Sequence, residues 1–160
     1  MFDLMVQTCC FTGHRVIPSG EKETIRHLLE TAIEKAIQDG YRFFRTGGAL
    51  GFDTLAAQTV LELKQQYPHV RLILVLPCIN QAKGWKQADI DEYKRIKALA
   101  DKVVYTSREY TSGCMHKRNR HLVDNSTLCI CYQTKLSGGT AYTLRYAESK
   151  KISVFNLADR

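Results

Sequence analysis

The chain is organised around one glycine-rich stretch, Thr46-Gly47-Gly48-Ala49-Leu50-Gly51-Phe52-Asp53. It follows the apolar run Tyr41–Phe44, which has the length of a short buried strand, and it precedes apolar residues at helical spacing. This pattern predicts a strand, a glycine turn and a helix. Three glycines permit positive φ and a close approach of a ligand to the backbone, and the N–H groups at a helix start attract phosphate. The stretch therefore predicts an anion-binding turn.

Asp53 has two interpretations within this stretch. It stands where the N-cap of the following helix is expected, so its carboxylate would accept a hydrogen bond from a helix N–H. In a nucleotide site the same carboxylate would accept a hydrogen bond from a ribose hydroxyl. A tight βα turn without any ligand also uses glycine, so the stretch alone does not establish a binding site.

The totals predict one domain that spans residues 1–160. Hydrophobic residues make up 44% of the chain and charged residues 24%, which is ordinary for a globular protein with a core. No apolar run approaches the ~20 residues that a membrane span needs. The N-terminal segment Met1–Val6 lacks the basic region of a secretory signal, and we expect it to begin the first strand. The expected location is the cytoplasm, with no membrane partner.

Positive charge is concentrated in the C-terminal part of the chain. The formal net charge is +7, and residues 101–160 carry 10 of the 23 basic side chains but 5 of the 16 acidic ones. Such an excess favours an anionic partner, either a nucleotide in a pocket or a nucleic acid along a surface. A solvated basic surface would give the same totals.

The six cysteines predict buried free thiols. None forms a CxxC pair, and four of them fall in apparent strands, so neither a disulfide framework nor a structural metal site is expected. Cys78 and Cys114 fall in predicted loops near the ligand end, where a reactive thiol is the lesser alternative.

Apolar periodicity predicts an α/β fold. Strands are expected at Met5–Phe11, Tyr41–Phe44, Val70–Leu76, Lys102–Tyr105, Leu128–Tyr132 and Ile152–Phe155. Helices are expected at Glu21–Gln38, Thr54–Gln66 and Asp89–Ala100, and again before Leu128 and through Ala147. Strands that alternate with helices predict a single Rossmann-like domain: a doubly wound, mostly parallel sheet of about six strands with flanking helices and ligand loops at the strand C-termini.

Two further loops carry glycine beside polar residues at strand ends. Thr12-Gly13-His14-Arg15 follows the first strand, and Ser137-Gly138-Gly139-Thr140 follows the fifth. Arg15 is expected to supply charge, and the second loop to supply N–H groups and hydroxyls to an oxyanion. His14 either faces the ligand or hydrogen-bonds the loop backbone.

The run Ser112–His121 is the densest cationic and polar segment of the chain. A solvated helix face accounts for its lysine and arginines. It accounts less well for Asn119, because asparagine is a poor residue inside a helix unless its amide is used.

Four motifs in this order resemble the YpsA-like proteins, a subgroup of the SLOG superfamily of Rossmann-like domains. They are Cys10–Arg15, Thr46–Asp53, Arg118–Asn119 with Val123, Asp124 and Ser126, and Ser137–Thr140. The superfamily includes the DNA-processing protein DprA, the LOG nucleotide phosphoribohydrolases and domains proposed to sense nucleotide-derived signals. The resemblance implies a nucleotide-shaped ligand such as ADP-ribose, NAD or AMP, with phosphate on the glycine loops, and a homo-oligomer.

The predicted ligand-binding residues combine this resemblance with the loop chemistry. By position the resemblance implies contacts for Gly13, Arg15, Gly47, Gly48, Gly51, Asp53, Arg118, Asn119, Ser137, Gly138, Gly139 and Thr140. His14 and Thr46 lie inside the same motifs and complete the predicted site.

One departure from the family bears on catalysis. LOG enzymes carry glutamates on the helix turn after their glycine loop, whereas here no carboxylate follows Thr140 until Glu148. Glycosidic cleavage through an oxocarbenium-like state uses paired carboxylates, and only Asp53 and Asp124 remain as candidates. We therefore expect a nucleotide-binding or sensing protein. A nucleotide N-glycosidase or phosphoribohydrolase is the first alternative, and DprA-like single-stranded DNA binding through Lys117–Arg120 is the second.

Overall fold

The computed structural model describes residues 4–159, and its centre is a six-stranded sheet. The strands are β1 (Thr8–Gly13), β2 (Phe43–Thr46), β3 (Arg71–Leu76), β4 (Lys102–Tyr105), β5 (Leu128–Tyr132) and β6 (Ser153–Asn156). Their order across the sheet is β4-β3-β2-β1-β5-β6, and every neighbouring pair is parallel. The predicted α/β class and the sheet of about six strands are confirmed.

Five α-helices cover the two faces of this sheet. They are α1 (Lys22–Gln38), α2 (Phe52–Gln66), α3 (Gln87–Leu99), α4 (Cys114–Asp124) and α5 (Gly139–Ser149), and two short 3₁₀ segments at Leu4–Gln7 and Ser19–Glu21 complete the described elements. Helix α2 packs against α1 and α3, whereas α4 packs against α5. The sheet is therefore doubly wound, as the alternation of strands and helices predicts.

The core lies in two parts, one on each face of the sheet. Successive side chains of a strand point to opposite faces, and in β1 Cys9 and Phe11 join the larger cluster while Cys10 joins the smaller one. Strands buried on both faces read as continuous apolar runs. This explains the sequence of β3, which lies between β2 and β4.

The first two strands end later than the apolar runs predict. Residues 1–3 of the expected N-terminal strand lie outside the described residues, Leu4–Gln7 is a 3₁₀ turn, and β1 begins at Thr8. Strand β2 begins at Phe43 rather than at Tyr41. Both strands extend further at their C-terminal ends, where Gly13 pairs with Tyr132 and Thr46 pairs with Leu74. The prediction depends on apolar side chains, whereas the backbone pairing continues beyond them.

The order of strands places a crevice between β1 and β5. Connections from β1 lead to β2, β3 and β4 on one side, and the chain then returns to the other side of β1 to form β5 and β6. Ligands of open α/β sheets bind outside the carboxyl ends of the strands at such a switch point. Within residues 4–159, no helix has both the length and the apolar character to cross a membrane.

Candidate functional site

A cleft of about 320 Å³ opens at the carboxyl ends of β1 and β5. The loop after β1, the start of α2, one side of α4 and the β5–α5 loop form its walls. Ten of the fourteen predicted ligand residues line it: Gly13, His14, Arg15, Asp53, Arg118, Asn119, Ser137, Gly138, Gly139 and Thr140. The structure thus brings three of the four sequence motifs together and adds part of the Thr46–Asp53 stretch.

The other four predicted residues, all in the glycine stretch before α2, pack against protein. Thr46 is fully buried, and its hydroxyl donates to the Asp53 carbonyl at 3.4 Å. A Cβ on Gly47 would lie 2.6 Å from the Arg118 Cζ atom, and one on Gly48 would lie 2.6 Å from Leu76 Cδ2. These two glycines make room for the protein's own side chains.

Gly51 serves the contact between this stretch and the loop after β1. Its φ is +76°, and a Cβ added there would overlap the Arg15 carbonyl and lie 2.6 Å from the His14 carbonyl oxygen. The next residue, Phe52, donates its N–H to that His14 oxygen at 3.1 Å. The N-terminus of α2 is therefore closed by backbone and offers little to an anion.

Asp53 is not the N-cap of α2, because the helix begins at Phe52 and Gly51 occupies the cap position. Asp53 lies in the first turn and is 7% exposed. Its Oδ2 accepts a hydrogen bond from the Ala49 N–H at 3.2 Å, which ties the glycine stretch to the helix. Burial raises the pKa of Asp53, while the nearby positive charge of Arg118 opposes that rise.

The N-terminus of α5 presents free backbone N–H groups to the cleft. Gly138 precedes the helix with φ 97°, and no side chain among the described residues caps it. The first backbone bond runs from the Tyr142 N–H to the Gly138 carbonyl at 3.0 Å, so the first three N–H groups of the helix have no partner inside it. The helix dipole adds positive character at this end, which suits phosphate.

The cations of the cleft have few anionic partners. Arg15, Arg118 and Lys135 all line it, and within residues 4–159 none of them forms a salt bridge. Arg118 is only 4% exposed, and burial lowers its pKa. Among the described lining residues Asp53 is the single carboxylate. The cleft therefore carries an excess of positive charge.

Three hydrogen bonds fix the Arg118 guanidinium at the base of the cleft. Its Nη1 donates to the Gly47 carbonyl, its Nε donates to Asn119 Oδ1 at 2.8 Å, and its Nη2 approaches Met115 Sδ at 3.8 Å. Arg15 Nη2 donates to the same sulfur at 3.7 Å. These acceptors are neutral, whereas the nearby charge of Asp53 raises the pKa of Arg118 against the effect of burial.

Four polar or polarisable residues of the cleft are not among the predicted ligand residues: Met115, His116, Lys135 and Thr12. The first two lie one helical turn before Arg118 and Asn119, so the i, i+3 spacing on α4 is the signal that identifies them. Lys135 comes two residues before the Ser137 loop. Its position close to a glycine loop is a weaker indication of a site residue, because surface lysines are common.

His14 holds the β5–α5 loop in place rather than simply facing the cleft. Its Nε2 accepts a hydrogen bond from the Thr134 N–H at 2.9 Å, and its ring meets the Tyr132 ring edge to face with centroids 5.9 Å apart. Both interpretations of this residue are thus present, because His14 also lines the cleft. Acceptance at Nε2 requires the neutral ring with its proton on Nδ1.

Acid pH is expected to release this loop from His14. Burial, followed by the charge of Lys135, lowers the pKa of His14 from 6.5. The stabilising bond is therefore complete above about pH 6.5 and is lost as the pH falls through the lower pKa of the folded state. The protection of the Thr134 amide, measured as its hydrogen-exchange rate relative to the intrinsic rate at each pH, should be high at neutral pH and low in acid, and His14→Ala should make it low throughout. Equal protection at both pH values would contradict the assignment.

Asp124 and the cationic run do not join the cleft as a unit. Asp124 is the last residue of α4, lies outside the cleft lining and accepts a hydrogen bond from the Tyr146 hydroxyl at 2.7 Å. Within the run, Arg118 and Asn119 face the cleft, whereas Lys117 and Arg120 line a separate groove. The two candidate catalytic carboxylates, Asp53 and Asp124, are thus on different sides of α4.

All six cysteines are buried free thiols, as predicted. Cys114 is the first residue of α4 rather than a loop residue, and burial raises the pKa of Cys78, which disfavours a reactive thiolate there. Among the described residues, no three histidine, cysteine or acidic side chains are grouped to hold a metal ion.

The chain is similar to known proteins in sequence. The family model YpsA, described as the YspA SLOG family, matches residues 18–156, so the loop Thr12–Arg15 precedes the matched part. A UPF0398 protein of Halalkalibacterium halodurans is 31% identical over 130 residues, which are 79% of this chain and 69% of the relative.

In fold, the chain resembles two structures of DNA processing protein A (DprA). The protein from Streptococcus pneumoniae superposes with a TM-score of 0.69 at 16% identity, over 96% of this chain and 50% of that chain. The protein from Helicobacter pylori, described for its single-stranded DNA binding mode, gives a TM-score of 0.69 at 19% identity, over 96% and 66%. At these identities the likeness shows the Rossmann-like fold alone.

Proposed function

Because this chain belongs to the YpsA family of SLOG proteins, we propose that it binds or senses a nucleotide-derived ligand in the cleft. The phosphate of the ligand would lie at the N-terminus of α5, close to Arg15 and Lys135. One observation carries the proposal: an uncapped helix N-terminus lines the same cleft as buried Arg118, which forms no salt bridge within residues 4–159. ADP-ribose, NAD and AMP are the proposed ligands, and a cytoplasmic homo-oligomer is the proposed state.

The deep part of the cleft suits the uncharged part of such a ligand. Asp53 accepts and Arg118 donates hydrogen bonds, and in residues 4–159 these two side chains form no salt bridge with each other. A hydroxyl group both donates and accepts, so a sugar hydroxyl matches the pair. The cleft of about 320 Å³ is near the lower end of the ~300–1,000 Å³ typical of small-molecule sites. A dinucleotide would therefore extend beyond its mouth.

Binding is favoured over hydrolysis because, among the residues that the structure describes, one carboxylate lines the cleft. Cleavage of a glycosidic bond commonly uses an acid and a second carboxylate within about 5–10 Å of it. Asp53 lines the cleft, but Asp124 lies on the other side of α4. A phosphoribohydrolase would have to act with Asp53 alone.

Single-stranded DNA binding is the second candidate, and the likeness to the Helicobacter pylori protein favours it. This chain spans 66% of that protein, and the identity of 19% carries the fold and not its DNA contacts. DNA would use outward cations such as Lys117 and Arg120 rather than the cleft, and its affinity would fall steeply with salt.

Thermal unfolding with added ligands tests the proposal. The natural protein and Arg15→Gln are each unfolded with AMP, ATP, ADP-ribose, NAD or a single-stranded oligonucleotide. Arg108→Gln is the matched control, because Arg108 is exposed and does not line the cleft. A nucleotide at a hundredfold excess over its Kd stabilises the folded state by about 2.7 kcal/mol. Arg15→Gln should weaken that binding about tenfold, because it removes a charge-assisted contact to the anion.

The other outcomes separate the candidates. Chromatography of the recovered nucleotide should show it intact, whereas release of free base would identify an enzyme. A salt-sensitive shift with the oligonucleotide alone would assign the function to DNA binding and reject a nucleotide site in the cleft.

A further inference from the structure

Helix α4 presents a second polar surface on the side away from the cleft. This surface, the α4 groove, is lined by Tyr105, Thr106, Lys117, Arg120, His121 and Asp124. Lys117, Arg120, His121 and Asp124 follow one another at helical spacing and so lie along one side of the helix. None of the groove residues lines the cleft.

The cations of the α4 groove lack carboxylate partners. The salt bridges among residues 4–159 all involve α1, α2, α3 or their ends, and none includes Lys117 or Arg120. Lys97 Nζ adds further charge 5.3 Å from the centroid of the Tyr105 ring. Asp124 is the one carboxylate in the groove lining, and it already accepts a hydrogen bond from the Tyr146 hydroxyl. The groove therefore has a net positive charge.

A buried arginine lies directly behind the α4 groove. Arg45, on β2, is 7% exposed, and its Nη2 lies 3.2 Å from His121 Nδ1. The Nε atom of Arg45 is buried without a hydrogen-bond partner among the described residues. Arg45 also forms no salt bridge with any of those residues. A buried charge without a counter-ion is costly. An anion in the groove would offset part of that cost.

Arg45 also determines which nitrogen of His121 carries the proton. A guanidinium only donates hydrogen bonds, so Nδ1 must accept and the proton of the neutral ring must be on Nε2. Burial and the charge of Arg45 lower the pKa of His121, which keeps the ring neutral at physiological pH. The groove thus contains an oriented imidazole beside an ammonium and a guanidinium group.

We propose that the α4 groove is a second binding site, which takes a phosphate group independently of the cleft. Lys117, Arg120 and His121 would donate to three oxygens of one tetrahedral anion, which a planar carboxylate does not offer. Arg45 supplies positive charge from the protein interior, where salt screens it less than at the surface. The phosphate belongs to a free phosphate or monoester, or to a nucleic-acid backbone.

The ring signals of the histidines test this site directly. The chain has five histidines, and the signal of His121 is assigned by its absence in His121→Gln. Millimolar inorganic phosphate, compared with chloride at equal ionic strength, should shift this signal and raise the pKa of His121 by about one unit, as a nearby opposite charge does. The response should disappear in Lys117→Gln/Arg120→Gln and persist in Arg15→Gln, which alters the cleft only. Lys83→Gln is the control for loss of an exposed lysine.

Two results would overturn the second site. One is a response confined to the signals of His14 and His116, which line the cleft; the other is no phosphate-specific response at any histidine. A thymidine oligonucleotide, titrated in parallel, identifies the source of the phosphate. If the oligonucleotide shifts the His121 signal more per phosphate group than inorganic phosphate does, the groove binds a nucleic-acid backbone. If it shifts the signal less, the groove binds a free phosphate or monoester.

Discussion

Gly51→Ala is expected to lower the free energy of unfolding by about 3 kcal/mol or more. The backbone at this residue has φ +76°, and the added Cβ would overlap the Arg15 carbonyl. That carbonyl is backbone and cannot rotate away, and Phe52 N–H donates to the adjacent His14 carbonyl. Relief of the clash would therefore separate the loop after β1 from α2. Urea unfolding followed by circular dichroism measures the loss.

Gly84→Ala is the matched control for this prediction. Gly84 has a similar φ of +85°, but a Cβ there would meet nothing within 4 Å. It should cost only the strain of a positive φ, about 1–2 kcal/mol. Equal losses in the two variants would mean that the contact between Gly51 and the Arg15 backbone contributes nothing beyond that strain.

Gly139→Asp is expected to weaken nucleotide binding about 100-fold while leaving the fold intact. A Cβ at Gly139 meets nothing within 4 Å, so the side chain fits without displacing a neighbour. A carboxylate in the first turn of a helix is favourable for the helix itself. It would nevertheless place a negative charge where the phosphate of the proposed ligand would lie, and like charges in contact cost several kcal/mol. Calorimetric titration of whichever nucleotide stabilises the natural protein gives the affinity.

Gly139→Asn separates charge from size in this experiment. Asparagine has nearly the shape of aspartate, so it should weaken binding much less, and urea unfolding should show both variants to be as stable as the natural protein. If aspartate and asparagine weaken binding equally, the phosphate does not lie at the N-terminus of α5.

The sequence patterns predicted the architecture well because each element carries its own signal. Continuous apolar runs such as that of β3 require burial on both faces, and alternation with amphipathic helices leaves few arrangements other than a parallel, doubly wound sheet. The ends of strands were less predictable. Arg45 and Thr46 belong to β2 through backbone pairing with β3, which no side-chain pattern records.

The role of each glycine was the part that local sequence could not supply. A glycine that admits a ligand and a glycine that admits the protein's own side chain look identical in a motif. Gly47 makes room for Arg118, which is 71 residues away in sequence, whereas Gly139 faces open space. Only the tertiary arrangement distinguishes the two loops: the backbone N–H groups after Gly138 are free, whereas the Thr46–Asp53 stretch packs against protein.

The pairing of β1 with β5 has a consequence for how this protein folds. The ladder joins Cys10 to Cys129, so the chain must extend through β5 before the two sides of the cleft meet. Contacts between such distant residues form slowly, because the intervening loop must close first. On the ribosome, the strands from β1 to β4 emerge before β5. The cleft should therefore be among the last features to form, and ligand binding would report completion of folding.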